Sequence, residues 1–267
     1  MFSIRLSAVP MCAAAVLALS ACSSTPKDET EGWSPNKIYS EARDERETGN
    51  FEKAISLYEK LEGRAAGTPL AQQAQLEKAH AYYKANEQAQ ALAVLDRFMR
   101  LHPASPGMDY ALYLKGLVNF NDNLGIFGSL AQQDLSERDQ NAAKTSFESF
   151  RELITRFPDS KYAPDARERM TYIVNSLAQY EVHVARYYYK RGAYLAAINR
   201  AQRAITDYPK APALKEALSL LALSYDALGM TQLRDDTRRV MQASYPDERP
   251  GDSGEESGNG KPWWKLW

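Results

Sequence analysis

Cysteine is nearly absent from this chain of 267 residues: there are two, Cys12 and Cys22. Both fall at the N-terminal edge, so no disulfide can staple the remainder, which must hold together by packing alone. Histidine is scarce as well. His80, His102 and His183 are the whole complement, and none stands at metal-ligand spacing from another histidine or a cysteine. Charge of one sign is lacking too: 33 Lys and Arg offset 34 Asp and Glu, for a formal net charge of -1. Such a chain carries no electrostatic footprint for nucleic acid or an acidic surface. Gly-x-Ser-x-Gly, a phosphate-cradling glycine loop and a dinucleotide fingerprint are all missing. No catalytic set, metal or cofactor is implied; the chain reads as a protein that holds other proteins, not as an enzyme.

Long apolar runs are also missing, with one short exception. Met11 to Leu19 is far below the roughly 20 residues that span a bilayer. With Arg5 ahead of it, the run reads as a signal peptide over residues 1–21. It ends in Leu19-Ser20-Ala21-Cys22, which resembles the bacterial lipobox. An ordinary cleavage after Ala21 would leave Cys22 a plain thiol. Apolar run, small residues and cysteine in that order favour lipidation of Cys22, and more than one acyl chain holds a protein durably on its membrane. Ser23 stands where inner-membrane lipoproteins carry aspartate, which points to the periplasmic face of the outer membrane. Residues 22–32, rich in Ser, Thr, Asp and Glu, read as a flexible lipidated tether.

What the chain does have is a repeat. Ala79-x-x-Tyr82 lies 24 residues before Pro103; Ala185-x-x-Tyr188 and Ala222-x-x-Tyr225 lie 24 before Pro209 and Pro246. An aromatic or histidine precedes each of these prolines. This resembles the tetratricopeptide repeat, a pair of antiparallel helices. A small eighth residue lets the second helix approach, and the aromatic three later shares its face. Gly or Asn near the fifteenth position makes the turn, a small residue at the twentieth lets the next helix close in, and proline at the thirty-second ends the pair. A plain bundle would not keep a 24-residue interval three times. The expected fold is all-α, a right-handed solenoid of about five helix pairs.

Two units fill residues 33–105 and three fill 106–246. In the third, 42 residues separate Gly116 from Pro158, 18 too many, and the excess is placed at 121–138. In the fourth, Tyr162 to Arg191 is expected to form one long helix. The fifth carries Arg234 and Arg238 at positions usually small or aromatic, as a capping repeat does. In this repeat family, positions two, five, nine, twelve and thirteen line a peptide groove. Here they are Asn36, Tyr39, Arg43, Arg46 and Glu47, then Gln73, Leu76, His80, Tyr83 and Lys84. Aromatic side chains beside basic groups suit a peptide ending in a carboxylate and an aromatic residue.

Several stretches resemble the BamD (ComL) lipoproteins of the outer-membrane β-barrel assembly (BAM) machine. They are Pro35 to Tyr39, Ala81 to Lys84, Asp96 to Phe98, Arg151 to Asp159, Ala178 to Tyr188 and Arg191 to Arg200. The resemblance implies that the N-terminal repeats bind C-terminal targeting segments of unfolded outer-membrane proteins. It implies that the C-terminal repeats dock on BamA, through its periplasmic domain, and on BamC among the BAM lipoproteins. Arg200 matches the family arginine that helps hold BamA, and a guanidinium fork suits such a joint. A rival reading is a pilotin-type repeat lipoprotein guiding a secretin or pilus component, which would not carry the inserted third unit or the Arg191 to Arg200 stretch. Residues 247–267, rich in Gly, Ser, Asp and Glu, are expected to be disordered. They end in Trp263-Trp264-Lys265-Leu266-Trp267, expected at a membrane interface or in a partner's groove.

Overall fold

Proline, glycine and the small residues between them set where each helix starts, stops and touches its neighbour. A computed structural model describes residues 28–120 and 137–246. The signal peptide, Cys22, nearly all of the 121–138 segment and the Trp-rich tail lie outside the described residues. Within them are ten helices and no strand. They are α1 (Pro35–Glu47), α2 (Phe51–Arg64), α3 (Pro69–Lys84), α4 (Gln88–Leu101), α5 (Met108–Asn119), α6 (Glu137–Arg156), α7 (Ala163–Lys190), α8 (Tyr194–Asp207), α9 (Leu214–Ala227) and α10 (Thr231–Ser244). These are five consecutive pairs, each helix packed on the next.

The repeat positions explain the boundaries. α1 and α3 begin with proline at the first turn, and the Ser34 and Thr68 hydroxyls accept from the Lys37 and Ala71 amides, each at 3.3 Å. The turn inside a pair needs one residue in the left-handed region. Gly49 (φ 86°), Asn86 (61°), Gly192 (73°) and Gly229 (71°) supply it, and glycine and asparagine tolerate that conformation best. α4, α6, α8 and α10 each stop two residues short of Pro103, Pro158, Pro209 and Pro246.

Between these marks the small residues are the contact points. Ala42, Ala79 and Ala185 at the eighth position and Ala54, Ala91, Ser146 and Ala197 at the twentieth have no exposed surface. Gly116 takes the eighth position in the third pair and lies directly against the Phe150 ring. Ser146 Oγ donates to the Gly116 carbonyl at 2.8 Å, so a buried hydroxyl on α6 is satisfied by the α5 backbone. Four apolar cores follow one another along the stack: around Tyr58 and Leu61, Leu95 and Phe98, Phe150 and Ile173, and Leu220 and Ala201.

Two departures stand out. The fourth pair opens with a helix of 28 residues, about 42 Å at 1.5 Å per residue. Ile173 and Leu177 pack into the third core while Val182 and Ala185 pack into the fourth, so α7 belongs to both. α6 is 20 residues long against 14 for α2, α4, α8 and α10. Part of the third unit's excess is therefore added helix, and Glu137 and Arg138 belong to α6.

The tether reading needs shortening. Asp28 accepts from Lys60 Nζ at 2.7 Å and Arg64 Nη2 at 2.8 Å, and Thr30 is buried with its hydroxyl 2.8 Å from the same guanidinium. The Lys60 ammonium, helped by hydrogen bonds from Thr30, holds the Asp28 carboxyl well below the usual carboxylate range. Residues 28–32 are thus fastened to α2, because two cations of that helix converge on one carboxylate.

Candidate functional site

The first helices of consecutive pairs place their side chains in one band. At its start, the Arg46 guanidinium of α1 pairs with the Glu77 carboxylate of α3. Gln73 Nε2 donates to the other Glu77 oxygen at 2.9 Å. Both ions are largely covered, with 20% and 14% of their side-chain surface exposed, so the pair is screened less than a surface pair. Tyr39 packs against Tyr58 with ring centroids 6.3 Å apart. The Tyr58 hydroxyl is buried without a hydrogen-bond partner among the described residues. Burial, with the Glu77 carboxylate next, raises its pKa well above the ordinary phenol value.

His80, one turn further along α3, is pushed down to about 4 by burial and then by the Arg46 and Lys84 cations. It is neutral near pH 7, and its Nδ1 is buried without a partner among the described residues. Its ring lies 6.5 Å from Tyr83, over which Lys84 places its ammonium at 5.7 Å. Asn36 and Lys84 are exposed, and Arg43, half exposed, pairs with Asp44 and Glu47 at 3.6 Å.

The band continues onto α5 and α7. Tyr110 senses Glu77 and Arg46 from one side and meets Tyr162 at 5.4 Å on the other. Tyr162 stacks on Tyr113 at 4.6 Å with 17° between planes. The Tyr113 hydroxyl donates to Asp165 Oδ2 at 2.8 Å, which also accepts from Arg169 Nε at 2.7 Å. Burial, reinforced by that bond to a carboxylate, pushes Tyr113 up to about 12. Burial works against Asp165, but Arg169 and Tyr113 prevail and hold it below its ordinary value. The Arg169 guanidinium lies 4.7 Å over the Phe120 ring, which meets Tyr172 at 5.6 Å. The result is a run of aromatic rings interleaved with two carboxylate–guanidinium pairs. Such a surface can stack rings and aliphatic side chains and hydrogen-bond to backbone groups.

The sequence-based groove set is brought together in part. Tyr39, Arg46, His80 and Tyr83 are half-buried in the band, whereas Asn36, Arg43 and Lys84 stand at its exposed margin. Leu76 is a correction. It is 4% exposed, packed with Phe98 and Ala111 in the second core, because α3 turns that position inward and presents Glu77 instead. Tyr110 and Tyr113 of α5 and Phe120, which caps it, were not singled out, although with Gly116 at position eight they occupy positions two, five and twelve. Those of α7 lay outside the repeat frame, but Tyr162, which caps the helix, and Asp165, Arg169 and Tyr172 within it follow the i, i+3, i+7, i+10 spacing of one helical face.

Arg200, on α8, sits apart from the band. Its Nη1 donates to Glu181 Oε2 of α7 at 3.1 Å, and Arg203 approaches the other oxygen at 3.7 Å. Glu181 is 5% exposed on its side chain and Arg200 31%. Among the described residues no cluster of His, Cys, Asp and Glu could hold a metal ion, and no helix is long and apolar enough to cross a membrane.

The family described as "YfiO: Outer membrane lipoprotein" matches residues 32–240, a span that takes in α1 to α9 and most of α10. Proteins named "Outer membrane protein assembly factor BamD" are similar along nearly their whole length. The one from Neisseria meningitidis serogroup A is 47% identical, covering 94% of this chain and 96% of that protein. Those from Vibrio cholerae and Haemophilus influenzae are 36% and 32% identical, covering 83% and 86% of this chain and 91% and 90% of theirs. With 209 of its 267 residues matched by the family and relatives this similar over this span, the chain belongs to the YfiO family of outer membrane lipoproteins, which includes the BamD assembly factors.

Proposed function

We propose that this protein is a non-enzymatic assembly factor of the outer membrane, a component of the BAM complex. It is held at the periplasmic face by lipid on Cys22 and receives C-terminal targeting segments of unfolded barrel proteins. The observation that carries the reading is the band across α1, α3, α5 and α7, found in a chain whose relatives are named for outer membrane protein assembly. A targeting segment is an extended polypeptide with aromatic side chains. The Tyr113–Tyr162 stack offers rings for those side chains, while the Lys84 ammonium beside the Tyr83 and His80 rings offers a margin for a terminal carboxylate. Neutral His80 adds no charge of its own near pH 7, so attraction for the carboxylate falls to Lys84 and Arg43.

The C-terminal pairs dock on BamA and BamC, with Arg200 and Arg203 presented on either side of the buried Glu181 carboxylate. The experiment is titration of fluorescent peptides copied from barrel C-termini. Saturable binding should require the terminal aromatic residue, and Lys84→Glu should weaken it by slowing association, most strongly at low salt, as reversing a rim charge does. Equal binding of a peptide lacking that aromatic residue would overturn the reading.

A further inference from the structure

The last three helices, α8 to α10, leave a cleft with an apolar floor and polar edges. α8 contributes Ile205 to it, α9 contributes Leu218, Leu221 and Tyr225, and α10 contributes Leu233 and Val240. Its volume is about 390 Å³, within the range of about 300 to 1,000 Å³ in which small organic groups bind. Leu233 and Val240 stand seven residues apart on α10, 44% and 53% exposed, with Met230 42% exposed at the start of the helix. Water-facing leucine and valine at that spacing form a helix face without a partner. Only Thr237 of α10 is buried, so α10 is the least covered helix of the stack.

We propose that the occupant is the chain's own segment Lys261 to Trp267, folded back onto α8 and α10. Three observations select it. The first is chemistry: Trp263, Trp264, Leu266 and Trp267 are four large apolar side chains within seven residues, and the cleft sets five aliphatic side chains and the Tyr225 ring beside Gln202, Thr206, Asp236 and Thr237, a mixed lining that suits indole rings with their N–H donors. The second is reach. Sixteen residues, 247–262, separate Pro246 from Trp263, and a Gly/Ser-rich chain of that length spans roughly 20–24 Å on average. From the end of α10 back to Leu233 is about 17 Å at helical rise. The third is charge: Asp247, Glu248, Asp252, Glu255 and Glu256 dominate the connecting stretch, and it would run along a helix carrying Arg234, Arg238 and Arg239 against Asp235 and Asp236, with Arg239 already paired with Asp236 and Arg238 exposed. The docked segment would shield the apolar face of α10 and so close an array that otherwise ends on an uncovered helix.

The test uses the purified mature chain with Cys22→Ser, so that no lipid is added. Amide hydrogen exchange is measured across α10 in this chain and in one carrying also Trp263→Ser, Trp264→Ser and Trp267→Ser. A tether gives an effective concentration near 1 mM, so a contact of about 0.1 mM intrinsic affinity is occupied about ten to one. Exchange in α10 should therefore be about tenfold faster in the serine variant, equally at low and high protein concentration. A second variant, Leu233→Ser with Val240→Ser, alters only exposed positions and should shift tryptophan emission to the red while helicity is kept. Unchanged α10 exchange overturns the proposal. So does protection that disappears on dilution, which would mean a second copy. Blue-shifted emission found only after adding phosphatidylethanolamine–phosphatidylglycerol vesicles would also overturn it, since the membrane would then be the occupant.

Discussion

Replacing Gly116 by alanine sets two opposed effects against each other. In a helix interior the change should stabilise by about 1 kcal/mol, because glycine has more backbone freedom to lose on folding. At this position the added Cβ would fall on the Phe150 ring, 2.6 Å from Cδ1 and 2.7 Å from Cζ, and closer still to Cε1. Phe150 is fully buried, with Tyr113 and Phe120 ring centroids 6.1 and 6.4 Å away, so the ring cannot swing aside without moving its neighbours. Overpacking of this kind costs about 1–3 kcal/mol, and a clash with a locked ring belongs at the upper end. The net expectation is a loss of about 2 kcal/mol, or about 4–8 °C in Tm for a domain of this size. Thermal and urea unfolding followed by far-UV circular dichroism measures it. Phe150→Ala alone should cost about 3–5 kcal/mol by opening a cavity. In that background Gly116→Ala meets no ring, and should stabilise by about 1 kcal/mol. A cost that is the same in both backgrounds, or a Tm that rises in the single variant, would refute the close-approach argument.

Arg200→Ala should lower stability by about 1–3 kcal/mol, since it leaves the buried Glu181 carboxylate with Arg203 alone. Adding Glu181→Gln should restore most of that loss in urea unfolding. BamA capture by the double variant then reports docking free of the folding defect, and wild-type capture by it would count against a docking role for Arg200. His80 supplies a pH dependence: its folded pKa, about 4, lies below the unfolded 6.5. Its stabilising effect is therefore complete above pH 6.5 and is lost as pH falls from 6.5 toward 4. His80→Gln should flatten Tm against pH in that window, and an unaltered slope would place the titration elsewhere. Asp28→Asn should free the N-terminal clamp, seen as faster proteolysis between residues 28 and 33 with Tm nearly unchanged; resistance equal to that of the unaltered chain would show that Lys60 and Arg64 hold nothing there.

Much of the scaffold was legible because a helix pair imposes steric demands at fixed intervals. Gly49, Asn86, Gly192 and Gly229 fall at the fifteenth position because a tight turn needs positive φ there. The Ala42 and Ala54 columns fall where two helices nearly touch. The interior of the band was less legible, since its side chains gain partners only when helices far apart in sequence meet. Nothing near Arg46 in the chain announces Glu77, 31 residues on, and nothing in the repeat frame distinguishes Leu76, which packs into the second core, from Glu77 beside it, which faces the band. On α7 the frame itself failed: the extra turns displace Tyr162, Asp165 and Arg169 from the positions at which shorter first helices carry their lining residues. The Glu181–Arg200 pair was hidden for the same reason, a buried carboxylate being indistinguishable by type from a solvated one.

The salt link between Asp28 and the α2 cations sets a short leash. Six peptide links separate Cys22 from Asp28, and a fully stretched chain of that length reaches only about 20 Å. Acyl chains on Cys22 would therefore keep the Lys60–Arg64 corner of the molecule within two helix diameters of the bilayer. Under the proposed lipidation and substrate role, incoming polypeptide would meet the band close to the membrane surface, and the protein's reach around its anchor would be a cap only a few nanometres high.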